Sequence, residues 1–278
     1  AIIILFKSKP DIVVGFGGYP SFPILLGAYL LKKKCIIHEQ NVILGKVNNF
    51  FSKKVSLVLF GLKPKEFNKN DFKYKYIGTP VREDIIRLSG LKNTGKKNDI
   101  FTIFVLGGSQ GAKVLTNSFL SSLSFFPKDK LNKIFIYIQC REEEKNKVKK
   151  ILKNFHIKFT VSTFFNDIGV VINNSDLIIS RAGASTLSEL IILGRPSILV
   201  PMKFASNDHQ FKNALNLAKD GGARIILEKN LSDYNLYKEI ENLFYNPKLL
   251  SEMSTELQKL SKPDAANEFF NIIKNKVI

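Results

Sequence analysis

The feature that most constrains the fold of this chain is the alternation of short apolar runs with helix-length segments along its 278 residues. Short apolar runs between turn residues are typical of strands buried on both faces, and their alternation with helices predicts parallel sheets covered by helices. The sequence therefore predicts an α/β fold. The candidate strands are residues 12–14, 35–37, 55–59, 74–77, 101–106, 133–138, 158–161, 177–179, 197–200 and 223–226.

The division into domains follows from a polar run at residues 89–99, which contains Gly, Asn and Lys and has no apolar periodicity. A chain of this length can hold two cores, so we interpret the run as a linker. We expect a first domain over residues 1–90 and a second over residues 91–262. Pro263 is placed to start a final helix over residues 263–278, which we expect to pack back on the first domain.

The composition argues against several kinds of site. The longest apolar runs, AIIILF and ILLGAYLL, are shorter than the roughly 18 residues that span a bilayer. Cys35 and Cys140 lie far apart without a C-x-x-C partner, so we interpret them as reduced core thiols. The three histidines, His38, His156 and His209, lack metal-ligand spacing, and we expect neither a metal nor another cofactor.

The formal net charge of +18 favours an anionic substrate or an anionic lipid surface. Lysines are spread along the whole chain, and no basic arm with interleaved aromatic residues is present. Nucleic acid is therefore not an expected partner, and a general effect on solubility is the alternative explanation of the charge.

Three glycine-rich turns follow predicted strands: GFGGY at residues 15–19, GGSQGA at 107–112 and RAGAS at 181–185. Glycine lets the backbone approach a ligand closely, and N–H groups at the start of the following helix attract phosphate. Each turn alone is also explained by the sterics of a tight connection. Three of them at the carboxyl ends of parallel strands favour a ligand in a cleft between the domains.

The stretch SRAGASTLSEL, residues 180–190, admits two interpretations. Thr186 and Glu189 match a capping box, in which two side chains satisfy the first N–H groups of a helix. Alternatively, the helix start binds a diphosphate and Glu189 accepts hydrogen bonds from both hydroxyls of a neighbouring ribose. The second interpretation predicts a nucleoside diphosphate as the ligand.

The motif HEQN, residues 38–41, follows a predicted strand at the same edge as the glycine turns. His38 is either a structural histidine or part of the site. Glu39 lies near the distance from Gly15 at which an acid binds the ribose of a dinucleotide, but GFGG lacks the third glycine of that fingerprint.

Two further motifs place polar side chains near predicted helix starts. Arg82 follows a Gly-Thr-Pro turn and is either an anion clamp or a surface side chain. In SNDHQ, residues 206–210, Asp208 is expected to cap a helix, and Gln210 faces either the cleft or solvent.

Taken in order, GFGGYPSFP, HEQN, IGTPVR, LGGSQGA, SRAGASTLSEL, DHQ and KPDAA resemble the motifs of the MurG family of N-acetylglucosaminyltransferases, from about residue 9 to residue 267. The resemblance implies a GT-B fold of two Rossmann-like domains. It also implies that N-acetylglucosamine moves from UDP-N-acetylglucosamine to the 4-hydroxyl of undecaprenyl-diphosphate-linked muramyl-pentapeptide, with inversion at the sugar, in peptidoglycan synthesis.

The resemblance implies a set of donor-binding residues as well. Glu189 would bind the ribose, Phe165 the uracil through its backbone, and Gln210 the sugar. Asn41 and Arg82 would reach in from the first domain. The diphosphate would contact Ala184, Ser185, Thr186, Leu187, Ser188 and, from the GGSQGA turn, Ser109.

This sequence departs from the family pattern at several points. Thr79 stands where the family usually has Asn, and Ala184-Ser185-Thr186 replaces the common A-L-T. The family's first strand and its G-G-T-G-G-H loop, which supplies acceptor contacts and a histidine proposed as general base, do not occur in this sequence. We therefore expect an N-terminally truncated pattern and assign no general base, although His38 and Glu39 are candidates.

Other functions stay open beside this one. They are another UDP-sugar GT-B enzyme, such as a lipid glycosyltransferase or an epimerase, a non-catalytic donor-binding remnant, and an NAD-dependent oxidoreductase. HEQN together with GASTLSE favours the muramyl-lipid enzyme. The residues IQC offer no acid at the end of the strand where NAD binding in the second domain would need one.

The implied lipid acceptor predicts a peripheral location on the cytoplasmic face of the inner (plasma) membrane. Basic charge and a modest apolar patch would hold the chain on an anionic membrane surface. AIIILF and SFPILLGAYLLKKK place apolar residues beside Lys32, Lys33 and Lys34. The alternative is that these apolar residues belong to the core.

Overall fold

The computed structural model describes residues 1–64, 72–91, 100–107, 113–202 and 208–277. Contacts within the chain divide it into two compact units. The first consists of Ala1–Val81 and Lys262–Ile278, and the second of Arg82–Ser261.

The first unit contains a parallel sheet in the order β1-β2-β3-β4. Its strands are β1 (Ile12–Gly15), β2 (Lys34–Glu39), β3 (Leu57–Phe60) and β4 (Tyr74–Tyr76). Its helices are α1 (Ile2–Ser8), α2 (Ser21–Leu30), α3 (Lys46–Ser52) and, after the second unit, α13 (Ala265–Val277).

Both faces of this sheet are buried, which explains why its inner strands are continuously apolar. On one face, Ile37 and Val58 pack with Leu25 of α2 and Phe51 of α3. On the other face, Ile36, Leu57 and Leu59 pack against residues of α13, which are Phe269, Ile272 and Ile273. The last helix is thus part of the core of the first unit.

The second unit contains a six-stranded parallel sheet in the order β10-β9-β8-β5-β6-β7. The strands are β5 (Phe101–Leu106), β6 (Ile134–Gln139), β7 (Lys158–Ser162), β8 (Leu177–Ser180), β9 (Ser197–Leu199) and β10 (Ala223–Ile225). The helices are α4 (Glu83–Leu88), α5 (Lys113–Ser122), α6 (Lys128–Leu131), α7 (Glu142–Asn154), α8 (Ile168–Asn174), α9 (Ala184–Leu193), α10 (His209–Lys219), α11 (Asp233–Phe244) and α12 (Pro247–Lys259).

The strand order of the second unit reverses between β5 and β8. The chain runs outward from β5 through β6 to β7 and then returns to the other side of β5 as β8. Leu106 and Ser180 are paired at the carboxyl ends of these two strands. In open α/β sheets, a ligand binds at such a switch point.

The predicted α/β class with parallel sheets is confirmed, and each of the ten candidate strands overlaps a strand of the structure. The expected domain boundary at residue 90 differs from the division in the structure, because α4 packs against α8 and α9. Ile85 of α4 is fully buried, and Ser89 Oγ donates to Ile192 O at 3.3 Å. The final helix begins at Ala265, after Pro263, and most of the predicted linker, residues 92–99, lies outside the described residues.

Candidate functional site

The start of α9 lies at the switch point of the second unit. β8 ends at Ser180, and three turn residues lead to the helix, of which Gly183 is the N-cap. Gly183 has no side chain to bond the first helical N–H groups, and no described atom beyond its two chain neighbours lies within 4 Å of where a Cβ would be. Among the described residues, the first N–H groups of α9 therefore have no side-chain cap, and they lie at the positive end of a helix dipole, where an anion is stabilised.

The capping-box interpretation of Thr186 and Glu189 is wrong. The helix begins at Ala184, so both residues lie within it and neither is at the cap position. Glu189 is instead paired with an arginine, as described below. The start of α9 thus carries no side-chain cap in the described part of the chain.

The predicted diphosphate-binding residues of α9 differ in side-chain exposure and in whether their N–H groups can reach a ligand. The side chain of Ser185 is exposed, and those of Ala184 and Thr186 are half-buried. Leu187 is fully buried, and its N–H donates to Gly183 O at 3.0 Å. Ser188 is buried, and its Oγ donates to Ala184 O at 2.9 Å. Ala184, Ser185 and Thr186 are therefore the residues of this stretch that offer N–H groups to a ligand.

Glu189, one turn further along α9, forms an ion pair with Arg82. Arg82 Nη2 lies 3.2 Å from Glu189 Oε1, and Arg82 Nε lies 3.9 Å from Asp84 Oδ1. The Glu189 side chain is 17% exposed, compared with 47% for Arg82. Burial raises the pKa of the Glu189 carboxyl above its ordinary value, and the positive charge of Arg82 offsets only part of this increase.

Gln210 lies in the first turn of α10. Its Oε1 accepts a hydrogen bond from Met202 N at 3.0 Å. Asp208 occupies the N-cap position but has a left-handed backbone, with φ of 52°, and its side chain makes no cap hydrogen bond. The expectation that Asp208 caps the helix through its side chain is therefore wrong.

A cavity of about 340 Å³ lies beside the start of α10. Met202 and Phe211 contribute apolar surface to it, and Asp208, Glu228 and Lys229 contribute charged groups. Glu228 belongs to a 3₁₀ turn, Glu228–Asn230, that follows β10. The cavity therefore lies at the carboxyl ends of β9 and β10, at the same edge of the sheet as the start of α9.

Phe165 follows β7 and packs edge-on against two other aromatic rings. Its ring centroid lies 5.5 Å from that of Phe104 and 6.0 Å from that of Tyr137. Phe104 is fully buried in β5, so these contacts fix the position of the Phe165 backbone relative to the sheet. Ser109 lies outside the described residues.

Sequence reasoning did not single out Arg181 as a functional residue. This side chain precedes α9 and is 14% exposed. Its Nη1 donates to Glu228 Oε2 at 2.7 Å and to Val200 O at 3.0 Å. A lone arginine between a strand and a glycine gives no indication of these distant partners, although a cation directly after an apolar run suggests a buried charge.

The HEQN motif forms a closed network in the first unit. Glu39 is 3% exposed, and its carboxylate accepts hydrogen bonds from four N–H groups at 2.8 to 3.1 Å. These come from the backbone and side chain of Asn41, from Gly45 N and from Asn48 Nδ2. A carboxylate that is saturated by protein donors is not available to the ribose of a dinucleotide, which removes the basis of the NAD interpretation.

His38, on β2, is fully buried. Its Nε2 lies 3.0 Å from Gly78 O, and Gln40 Nε2 lies 3.3 Å from its Nδ1. Because a carbonyl only accepts, Nε2 carries the proton, and Nδ1 accepts from Gln40. Burial lowers the pKa of the ring below its ordinary value. His38 is thus a neutral structural histidine, and neither it nor Glu39 is placed to act as a general base.

The glycines of GFGGY have a local structural explanation. Gly17 and Gly18 have φ of 80° and 74°, a conformation that side chains with a Cβ rarely adopt. Asn48 Nδ2 also lies 2.9 Å from where a Cβ at Gly17 would be. Within the described ranges, no group of three or more His, Cys, Asp or Glu side chains has a metal-binding arrangement, and no helix is long and apolar enough to cross a bilayer.

Comparison with known proteins places these features in a family. Residues 102–269 match the C-terminal domain of glycosyltransferase family 28, and residues 1–60 match its N-terminal domain. Over 277 residues, the chain is 34% identical to the UDP-N-acetylglucosamine–N-acetylmuramyl-(pentapeptide) pyrophosphoryl-undecaprenol N-acetylglucosamine transferase of Zymomonas mobilis, covering 99% of this chain and 72% of that protein. The protein of the same name from Rickettsia canadensis is 37% identical over 268 residues, which is 94% of this chain and 75% of the relative.

Solved structures agree with this result. The crystal structure of MurG from Acinetobacter baumannii matches with a TM-score of 0.84 and 27% identity, covering 99% of this chain and 77% of that one. The UDP-GlcNAc 2-epimerase of Neisseria meningitidis, at 13% identity and a TM-score of 0.65 over 99% of this chain and 78% of its own, shows that the fold is shared more widely. The chain is a GT-B glycosyltransferase and belongs to the MurG family within glycosyltransferase family 28.

Proposed function

We propose that this chain transfers N-acetylglucosamine from UDP-N-acetylglucosamine to undecaprenyl-diphosphate-linked muramyl-pentapeptide, with inversion at the sugar. The names of its relatives identify this donor sugar and this lipid-linked acceptor for those proteins. The observation that carries the proposal is the uncapped start of α9, with Glu189 one turn further along the same helix.

The donor would bind with its diphosphate at the N–H groups of Ala184, Ser185 and Thr186. This arrangement uses the positive end of the α9 dipole, which stabilises the negative charge of the diphosphate. Glu189 would accept hydrogen bonds from the two ribose hydroxyls, which the ionised carboxylate does best. The uracil would lie at the backbone of Phe165.

Further contacts would come from other elements. Gln210 would bind the sugar, and Arg82 would contact the donor beside Glu189. Asn41 and Ser109 complete the set that the resemblance implies. In the structure, the side-chain amide of Asn41 donates to Glu39 at 2.9 Å.

In the proposed reaction, the oxygen of the acceptor 4-hydroxyl attacks the anomeric carbon, the bond from that carbon to the diphosphate oxygen breaks, and UDP leaves from the opposite side; the hydroxyl proton is released to solvent. Negative charge then develops on the departing diphosphate. The helix N-terminus stabilises this charge more in the transition state than in the ground state, which is the condition for catalysis. No general base is assigned, because His38 and Glu39 make hydrogen bonds within the protein.

We also propose that the chain acts at the cytoplasmic face of the inner membrane, held by basic charge and an apolar patch. Ile3, Ile4 and Phe6 of α1 are 71%, 61% and 70% exposed, whereas Leu5 is buried against α2. Exposed Lys7 and Lys9 follow on the same segment. This combination suits an anionic lipid surface, where each basic residue contributes about 1 kcal/mol.

Titration calorimetry with UDP, UDP-N-acetylglucosamine and NAD tests the donor, and turnover with the lipid-linked acceptor tests the reaction. We expect binding of the two uridine nucleotides without NAD binding, followed by formation of a lipid-linked disaccharide. Tight NAD binding without UDP binding would contradict the proposal. Donor binding without turnover would instead support a non-catalytic donor-binding protein, and formation of UDP-N-acetylmannosamine would support an epimerase.

A further inference from the structure

The turn before α9 is tied to two other elements by Arg181. Nη1 of this buried side chain donates to Glu228 Oε2 at 2.7 Å and to Val200 O at 3.0 Å, and it contacts Pro201 O at 3.5 Å. One nitrogen thus joins the turn to the end of β9 and to the 3₁₀ turn after β10. The Arg181 and Glu228 side chains are 14% and 25% exposed, so solvent only partly screens this ion pair.

A second tie links the same turn to α10. Asn213, which is almost fully buried on that helix, donates from Nδ2 to Ala182 O at 3.3 Å. The start of α9 and the start of α10 are therefore held to each other through neighbouring residues of one turn.

The contact with Pro201 leads directly to the proposed sugar-binding residue. Met202 follows Pro201, and its N–H donates to Gln210 Oε1 at 3.0 Å. A backbone N–H can donate only to the oxygen of a side-chain amide, so this bond distinguishes Oε1 of Gln210 from Nε2. With Oε1 held by Met202, the NH₂ group of Gln210 is the one that could donate to a ligand oxygen.

Stability alone is a poor explanation of the Arg181–Glu228 pair. A buried ion pair is often no more stabilising than apolar side chains of similar volume, because both charges lose their hydration. The alignment of β8 with β9 is already fixed by strand pairing from Ile178 and Ser197 to Ser180 and Leu199. What the pair adds is a defined position for the backbone of residues 200–202.

We infer that Arg181 is a positioning residue for the sugar of the donor. Together with Glu228, it fixes Pro201 and Met202, and Met202 orients Gln210 so that its amide NH₂ donates to an oxygen of the hexosamine. This inference rests on the proposed function, because it requires a UDP-sugar donor. It assigns Arg181 no contact with the nucleotide.

The test compares the binding of UDP with that of UDP-N-acetylglucosamine by calorimetry. The Kd of UDP divided by the Kd of UDP-N-acetylglucosamine measures what the sugar adds to affinity. In Arg181→Met, we expect this ratio to fall about 3- to 10-fold, the value of one hydrogen bond, while the Kd of UDP is unchanged. The double variant Arg181→Met/Glu228→Gln, which leaves neither charge unpaired, should give the same result.

A double-mutant cycle shows whether the effect passes through Gln210. In a Gln210→Ala background, Arg181→Met should no longer change the ratio, because the group that it orients is gone. Arg195→Met is the matched control, since Arg195 is a half-buried arginine of the same unit that bonds Asn173 Oδ1 at 2.6 Å. It should leave the ratio as in the wild type.

Two results would overturn the inference. One is a parallel loss of UDP and UDP-N-acetylglucosamine affinity in the Arg181 variants, which indicates a structural role only. The other is an effect of Arg181→Met that persists without the Gln210 side chain. A wild-type chain that binds neither nucleotide would refute the proposed function itself, and would be recognised before any variant is measured.

Discussion

Arg82 Nη2 lies 3.2 Å from Glu189 Oε1, which places a half-exposed cation on a carboxylate that is largely removed from water. Burial disfavours the charged form of Glu189, and Arg82 favours it. The pair therefore keeps the proposed ribose-binding group closer to its ionised state than burial alone would allow.

The first prediction is that Glu189→Gln weakens UDP binding about ten- to a hundred-fold. The loss corresponds to roughly 1.5 to 3 kcal/mol for hydrogen bonds to a charged group. Calorimetry with UDP measures it, and thermal unfolding checks that the variant is folded. Glu256→Gln, a surface carboxylate paired with Lys259, is the control and should bind UDP like the wild type. Unchanged UDP affinity in a folded Glu189 variant would exclude this residue from the ribose site.

The second prediction concerns pH. Because the pKa of Glu189 is raised in the folded protein, its carboxylate is protonated at a higher pH than an ordinary glutamate. UDP affinity should therefore begin to fall, as pH decreases, above the ordinary pKa of 4.5. UDP itself titrates, so the measurement is the difference between the wild type and Glu189→Gln across pH. Parallel pH profiles for the two proteins would show that Glu189 ionisation does not control binding.

The raised pKa of Glu189 affects folding stability in the opposite direction: stability increases, whereas UDP affinity decreases, as pH falls. A folded-state pKa above the unfolded value means that the folded protein binds the proton more tightly. Glu189 therefore contributes most to the free energy of unfolding below the unfolded pKa, and this contribution decreases as pH rises through the folded pKa.

The third prediction concerns His38, whose pKa is lowered by burial. Its neutral form is needed in the folded state, so the stability that it contributes is present above the ordinary pKa of 6.5 and is lost as pH falls below that value. His38→Gln should lower the free energy of unfolding by about 1 to 3 kcal/mol near neutral pH, because the Gln side chain does not fill the space that the buried ring occupies beside Phe16 and Phe269. Urea unfolding as a function of pH measures both effects.

A matched control for this prediction is His156→Gln, since that residue lies outside the HEQN network in the second unit. This variant retains His38 and should therefore keep the decrease in stability at low pH. If the His38 variant keeps the full low-pH decrease in stability, the histidine is not the group that causes it.

The strands were predictable because both sheets are buried on two faces, so that runs such as FTIFVL are apolar without interruption. Contacts between residues far apart in the sequence were not predictable. Nothing in the sequence near residue 85 shows that α4 packs on α8 and α9, and nothing near His38 points to Gly78.

The site was predictable in part, for a related reason. The glycine-rich turn and Glu189 indicate a helix start and an acid, but a T-x-x-E pattern is the same at a cap and one turn inside a helix. Only the start of α9 at Ala184 distinguishes the two. The role of Arg181 depends on Val200 and Glu228, which lie far along the chain and became neighbours through the parallel arrangement of β8, β9 and β10.

The last prediction concerns the exposed apolar residues of α1, which we propose to face the membrane. Apolar composition could not decide between core and surface, and the structure separates Leu5, which is 4% exposed, from its exposed neighbours. Replacing Ile3 and Phe6 by Ser removes apolar surface without disturbing the contact of Leu5 with α2, so the variant should fold like the wild type.

On vesicles that contain anionic lipid, this α1 variant should bind less than the wild type at low salt, and binding of the wild type should fall as salt is raised. Flotation on anionic and neutral vesicles measures this, with Tyr234→Ser, an exposed aromatic residue of the second unit, as the control. Equal binding of the wild type to both kinds of vesicle, or to neither, would rule out an electrostatic anchor, whereas unchanged binding of the α1 variant would place the contact elsewhere.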